Sequence, residues 1–259
     1  MSCFLFDKIV FGPVSSRRLG VSLGINLLPY NKKVCSFNCI YCECGWTKPG
    51  NYVIEKPYTR EEVKLVLEEK LIKLKSENSD LNNITFAGNG EPTLHPQFHL
   101  VVDDVITLRN KYFPDVSISV LTNATQLDKP HVVSALKKVN KPIVKLDTST
   151  ENSFRAINKA VINISYDEVL NNIIKADISN LIIQTLFLRG NIDGNVIDNT
   201  EAKEVELWIG HLIRIKPAMV MIYGIARETP AKDLVKISRD ELEVIAKKLR
   251  KKGIKTETY

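Results

Sequence analysis

The chain has 259 residues, 44% of them hydrophobic and 25% charged, with a net charge of +6. That composition suits one large α/β domain with a sizeable core, and no apolar run approaches the roughly 20 residues that cross a bilayer. The opening MSCFLFDKIV lacks the basic flank and long apolar stretch of a secretory signal, so a cytoplasmic location is expected. In that reducing compartment, clustered cysteines point to metal binding or catalysis before disulfides. Much of the positive charge lies in KKLRKKGIK (residues 247–255), which reads as a solvated helix face more than a nucleic-acid contact.

Residues 1–21 read as an N-terminal extension, and residues 22–259 as the barrel core of a single domain. The first strand is SLGINLL (22–28), followed by the loop that holds most of the cysteines. TREEVKLVLEEKLIKLK then reads as a helix opened by a capping box, Thr59 with Glu62. NITFAG (83–88) is the second strand and runs into GNGEPT; PQFHLVVDDVITLRNKY is the next helix. VSISVLT (116–122), PIVKLDT (142–148), LIIQTLFL (181–188) and AMVMIYG (218–224) continue the strands. They end in the polar segments TNAT, DTST, LRG and YGIARETP. Between them fall the helical stretches KPHVVSALKKV, SYDEVLNNIIKADI and NTEAKEVELWIGHLIRIK, and SRDELEVIAKKLRKKG closes the series with a second capping box.

Strands this apolar, alternating with helices, are buried and parallel, and are joined by right-handed crossovers. Six such units are too few to close an eight-stranded barrel, so an incomplete (β/α)6 parallel barrel is expected, with a flat doubly wound sheet as the alternative. Either fold binds ligands at the C-terminal ends of its strands, where the unusual residues cluster.

CSFNCIYCEC (residues 35–44) holds four of the five cysteines; the fifth is Cys3. Cys35, Cys39 and Cys42 have C-x3-C-x2-C spacing, and Cys44 follows two residues on. Structural zinc usually takes four ligands, often two separated C-x2-C pairs, and here there is one pair with no histidine before His95. Four buried, inert thiols in ten residues would be a strange use of a small core residue. Three thiolates suit a [4Fe–4S] cube with one iron left open, whereas such cubes normally take four cysteines. A fourth thiolate would fill the open position, so Cys44 and Cys3 are expected to hold no iron.

The spacing C-x3-C-x-aromatic-C, with Tyr41 as the aromatic residue, resembles the signature of the radical S-adenosylmethionine (SAM) enzymes. GPVSSRRLGVSLGINLLP before the cysteines and FAGNGEPTLHP after them resemble the Fe–S oxidoreductase branch related to wybutosine-biosynthesis enzymes, so the likeness covers most of the chain. It implies a [4Fe–4S] cluster on Cys35, Cys39 and Cys42, with SAM at the open iron. Reductive cleavage of SAM would then give a 5′-deoxyadenosyl radical that takes hydrogen from a substrate.

By the same likeness Gly88, Gly90, Glu91 and Pro92 hold the methionine amino group, and Thr122 and Asn123 lie near SAM, although a polar strand end would read the same way. GNGEPT lacks the third glycine of a dinucleotide loop. Glycine admits a ligand close to the main chain, so Gly90→Val is expected to weaken SAM binding and spare the iron. Lys145 and Asp147 share one strand face by the period of two. With Ser149 they are assigned to ribose and carboxylate contacts. Arg189 and Arg227 could bind an anion bidentately, and Arg17 and Arg18 are expected in a structural salt bridge. An electron donor such as flavodoxin or ferredoxin is implied as partner. The substrate class stays open among an RNA base, a partner protein's glycine and a small molecule, with RNA ranked first. A non-catalytic zinc or Fe–S module is the rival reading.

Overall fold

A computed structural model describes residues 4–192 and 194–259; Cys3 lies outside them. Seven strands form a parallel sheet: β2 (Gly20–Ile25), β3 (Asn83–Phe86), β4 (Ser117–Thr122), β5 (Lys141–Lys145), β6 (Ile182–Ile192), β8 (Met219–Gly224) and β10 (Thr256–Thr258). β1 (Val10–Ser16) adds antiparallel to β2, giving the order β1-β2-β3-β4-β5-β6-β8-β10, and the sheet does not close. The incomplete parallel barrel expected from the alternation is therefore present, with β10 as a short extra strand. β7 (Asn195–Asp198) and β9 (Leu234–Lys236) pair antiparallel with the far half of β6. That pairing draws Arg189 and Gly190, read from sequence as a loop, into an 11-residue strand.

Among the described residues, seven α-helices cover the outside: α1 (Arg60–Ser76), α2 (Phe98–Tyr112), α3 (Pro130–Lys138), α4 (Glu151–Ile157), α5 (Tyr166–Ala176), α6 (Ala202–Ile215) and α7 (Arg239–Lys251). The two expected capping boxes form at Thr59/Glu62 and Ser238/Glu241, and two more at Thr150/Ser153 and Ser165/Glu168. Each satisfies amide groups that a helix start leaves unpaired. The main core, with Phe86, Phe98, Phe154, Phe187 and Trp208, lies between the sheet and these helices.

The inner face of the sheet is filled differently. Ile143, Ile182 and Met221 join Leu19 in a small apolar plug, with Leu121 packed on it. Two residues further along their strands stand Lys145, Gln184, Tyr223 and Asn123. The period of two puts them on the same inner face, nearer the strands' C-terminal ends. An apolar layer with polar groups above it is how the sheet positions a site.

The N-terminal segment, read as an extension, belongs to this architecture. Asn89 is fully buried; its side chain accepts from Phe6 N at 2.8 Å and donates to Phe6 O at 2.8 Å and Pro29 O at 2.9 Å. Phe4 N donates to Glu43 O at 3.1 Å. Phe6 stacks on Phe11 with ring centroids 3.6 Å apart.

Candidate functional site

The cysteine loop leaves β2 and is held by backbone pairing to its neighbours. Val34 N donates to Asn89 O at 2.8 Å, and Glu91 N returns to Val34 O at 3.0 Å, clamping the loop to the GNGEP turn. On the other side Asn38 N and Ile40 N donate to Asn158 O and Ile157 O at the end of α4, and Val161 N donates to Ser36 O. Within the loop, turns from Cys42 N to Cys39 O and from Gly45 N to Cys42 O bring the thiols to one side.

Cys35 and Cys39 are buried, and Cys42 and Cys44 half-buried; all four are free thiols. They line one cavity of about 180 Å³ at the C-terminal ends of the strands. Of the residues assigned from sequence, Tyr41, Gly88, Gly90, Glu91, Thr122, Asn123 and Lys145 line it too. Cys39 and Glu91 thus face one space, the juxtaposition a barrel-end site requires. Among the described residues, no three Cys, His, Asp or Glu side chains converge tightly enough to hold a single ion.

Polar groups reach the sulfurs. The Asn123 amide donates to Cys35 Sγ at 3.6 Å, the Asn158 amide to Cys39 Sγ at 3.7 Å, and Phe37 N to Cys35 Sγ at 3.4 Å. Lys33, buried with Nζ on Gly45 O at 2.8 Å, sits beside three thiols; burial alone would lower its pKa, but the sulfurs outweigh it and the pKa is raised. Burial pushes the Cys35 thiol up to about 12 and raises Cys39 as well. Cys42 is held down to about 5, first by the Cys44 thiol and then by Lys33. Cys44, raised chiefly by that same contact, shares its one proton between Cys42 and Gly88 O, which is 3.4 Å away.

Glu91 is fully enclosed. Oε1 accepts from Thr93 N (3.1 Å), Thr93 Oγ1 and Thr122 Oγ1 (2.8 Å), and Oε2 accepts from Asn123 N at 2.6 Å. Burial raises its pKa against the pull of these donors. Glu91 thereby ties the loop after β3 to the loop after β4. Gly90 has a packing reason to be glycine: at φ +138° a Cβ would stand 1.8 Å from Val34 O. A side chain there pushes the cysteine loop itself, so the expectation that Gly90→Val spares the iron does not fit this geometry.

Pro92, Asp147 and Ser149 do not line the cavity. β5 ends at Lys145, so Asp147 is not its strand-face neighbour; the chain curls and places Asp147 behind it. There Asp147, with no side-chain exposure, pairs with Lys145 and accepts from the Tyr41 hydroxyl, Asn158 Nδ2 (3.1 Å) and Leu186 N (2.9 Å). Lys145 also lies 4.3 Å over the Tyr41 ring. Burial would lower the Lys145 pKa, but Asp147 and Cys39 raise it. Ser149 turns away, its amide on Glu204 and its carbonyl on His211.

Arg189 is spent on Asp198 and Glu241, and Arg227 on Glu43. Arg17 and Arg18 form no salt bridge among the described residues, contrary to expectation. Sequence reading missed Lys33, Phe37, Gln184 and Tyr223, which also line the cavity. Gln184 carried a signal, being the one amide in the apolar run LIIQTLFL.

The model of the radical SAM superfamily matches residues 33–198. The chain belongs to the radical SAM superfamily. Its members are enzymes whose fold implies SAM and an iron–sulfur cluster. A UPF0026 protein of Helicobacter pylori strain J99 is 32% identical over 241 residues, covering 90% of this chain and 71% of that protein. A protein of Brachyspira hyodysenteriae named GTPase Obg is 30% identical over 239 residues; the match covers 92% of this chain but 33% of that protein.

Solved radical SAM structures share the fold. A radical SAM methyltransferase from Sphaerobacter thermophilus superposes with a TM-score of 0.67 at 15% identity, covering 92% of this chain and 65% of that one. TYW1 with a lysine–pyruvate adduct gives 0.61 at 16%, covering 89% and 73%. No helix among the described residues is long and apolar enough to cross a membrane.

Proposed function

We propose that the chain is a single-domain radical SAM oxidoreductase of the cytoplasm, in which Cys35, Cys39 and Cys42 hold a [4Fe–4S] cluster and the cavity beside them holds SAM. One observation carries the reading: the three thiols open onto the same cavity as the GNGEP turn, Thr122, Asn123 and Lys145. The donor set fits the group. Amide N–H groups from Asn123 and Asn158 reach the sulfurs of Cys35 and Cys39, and Lys33 offsets thiolate charge. Such outer contacts orient ligands and tune a cluster's potential.

A [4Fe–4S] cluster held by Cys35, Cys39 and Cys42 would, when reduced, supply the electron for cleaving SAM into methionine and a 5′-deoxyadenosyl radical. This chain's residues bind, orient and exclude water. Gly88 and Gly90 offer bare backbone to the methionine amino group, with Glu91 fixing the turn and Pro92 starting the 3-10 turn that follows. Thr122, Asn123 and Lys145 face the remaining SAM contacts, while Asp147 locks Tyr41 and Lys145 from behind and Ser149 anchors the loop to α6. An electron donor of flavodoxin or ferredoxin type supplies the reducing equivalent.

Anaerobic reconstitution tests the reading. About four irons and matching sulfide per chain, with 5′-deoxyadenosine and methionine formed from SAM under reduction, are expected. One tetrahedral zinc per chain and no SAM cleavage would favour the structural-metal rival.

A further inference from the structure

The cysteine pocket adjoins a wider cavity of about 650 Å³ on the inner face of the sheet, and the two share Leu121, Ile143 and Gln184 as lining. A molecule in the wider cavity would therefore lie no more than a side chain away from whatever fills the narrower one. Its charge is lopsided. Arg17, Arg18, Arg227 and Lys236 line it against a single carboxylate, Glu43. Glu43 already pairs with Arg227 at 2.7 Å. Arg17, Arg18 and Lys236 have no acidic partner among the described residues.

Arg18 is nevertheless held in place. Its guanidinium lies 4.4 Å over the ring of Tyr223, whose hydroxyl takes one end of the Gln184 amide at 2.8 Å. Arg18 Nη1 and the other end of that amide are both buried and without a hydrogen-bond partner. Orphaned polar atoms are rare in folded interiors, and these two belong to cavity-lining residues. One is a cationic donor fixed by stacking; the other is an amide oxygen left without a donor.

We infer that the wider cavity is the substrate site and that its substrate is a nucleotide unit, free or within RNA, whose phosphate is held by Arg18 and Arg17. The inference rests on the radical SAM reading of the adjoining pocket. Three unpaired cations exceed what one carboxylate needs and suit a phosphate, whose oxygens match the planar guanidinium fork. Phe6 and Phe11, stacked on each other, line the same cavity and offer an aromatic wall to a base.

The test is calorimetric titration of the reconstituted enzyme, saturated with SAM, under anaerobic conditions. The probes are the four ribonucleoside 5′-monophosphates, the four parent nucleosides and a short single-stranded RNA of mixed sequence. At least one phosphate-bearing probe should bind more tightly than its nucleoside, and more weakly as salt is added. Arg18→Gln should weaken it by about tenfold or more, the worth of one charge-assisted hydrogen bond, and leave iron content and SAM affinity unchanged. Arg18→Lys should restore part of the loss. A preference for RNA over the monophosphates would identify the polymer as the source.

The inference is overturned if no phosphate-bearing probe exceeds its nucleoside, or if Arg18→Gln leaves affinity unaltered. If iron or SAM fails to bind to the wild type, the radical reading falls. Repeating the Arg18 comparison on that protein shows whether the phosphate site stands without it.

Discussion

The four thiols of the cysteine loop are chemically unequal, and the difference lies in what each sulfur touches. Cys35 and Cys39 receive side-chain amides, whereas the Cys44 thiol is directed toward Gly88 O and Cys42. Serine can make the same contact to Gly88 O. Cys44→Ser is therefore expected to keep about four irons per chain after reconstitution. Serine at Cys35, Cys39 or Cys42 should abolish assembly, as read by iron and sulfide analysis. Four sulfur ligands on one metal, or iron lost from Cys44→Ser, would be incompatible with this assignment. Asp147 is the second decisive side chain, since among the described residues it is the carboxylate paired with Lys145 at the cavity wall. Asp147→Ala leaves that ammonium without its partner and should cost about 3–5 kcal/mol, the usual penalty for halving a buried pair. Anaerobic urea denaturation would show it as a lower midpoint at unchanged slope.

At the scale of elements, the clamp between the cysteine loop and the GNGEP turn couples two segments more than 50 residues apart. Gly90→Ala places a methyl against the Val34 carbonyl, one residue before Cys35. Iron content and SAM binding should fall together in this variant; normal iron with weakened SAM binding would mean the turn gives way without moving the loop. The six main parallel strands were legible because each is a compact apolar run, and six of the seven helices because their apolar residues recur at helical spacing. β1, β7, β9, β10 and α4 were not. They are short or half-exposed, and Val196 and Val235 stand in solvent, so neither period has room to appear. For the site, the cysteine spacing and the GEP segment located the cavity. Asp147 was placed a layer too far forward because the end of β5 could not be read, and Tyr223 passed for ordinary strand content. Lys33 gave no sign that its charge would be buried among thiols.

Across the whole molecule, the sheet runs from the antiparallel β1 at one end to the three-residue β10 at the other, with β3 to β6 paired on both sides. Amides of β4 and β5, flanked by paired strands and backed by the main core, should exchange slowest with deuterium, and those of β1 and β10 fastest. Equal protection at β10 would mean the far end of the sheet is more firmly held than three residues of pairing imply. The clasp between Asn89 and Phe6 also has a temporal side. Synthesis runs from the N-terminus, so Phe6 and the cysteine loop emerge before the asparagine that fastens one over the other. Until residue 89 has left the ribosome, neither the clasp nor the Val34 clamp can form. Once it has, the same few hydrogen bonds gather the N-terminal segment and the cysteine loop onto a single turn.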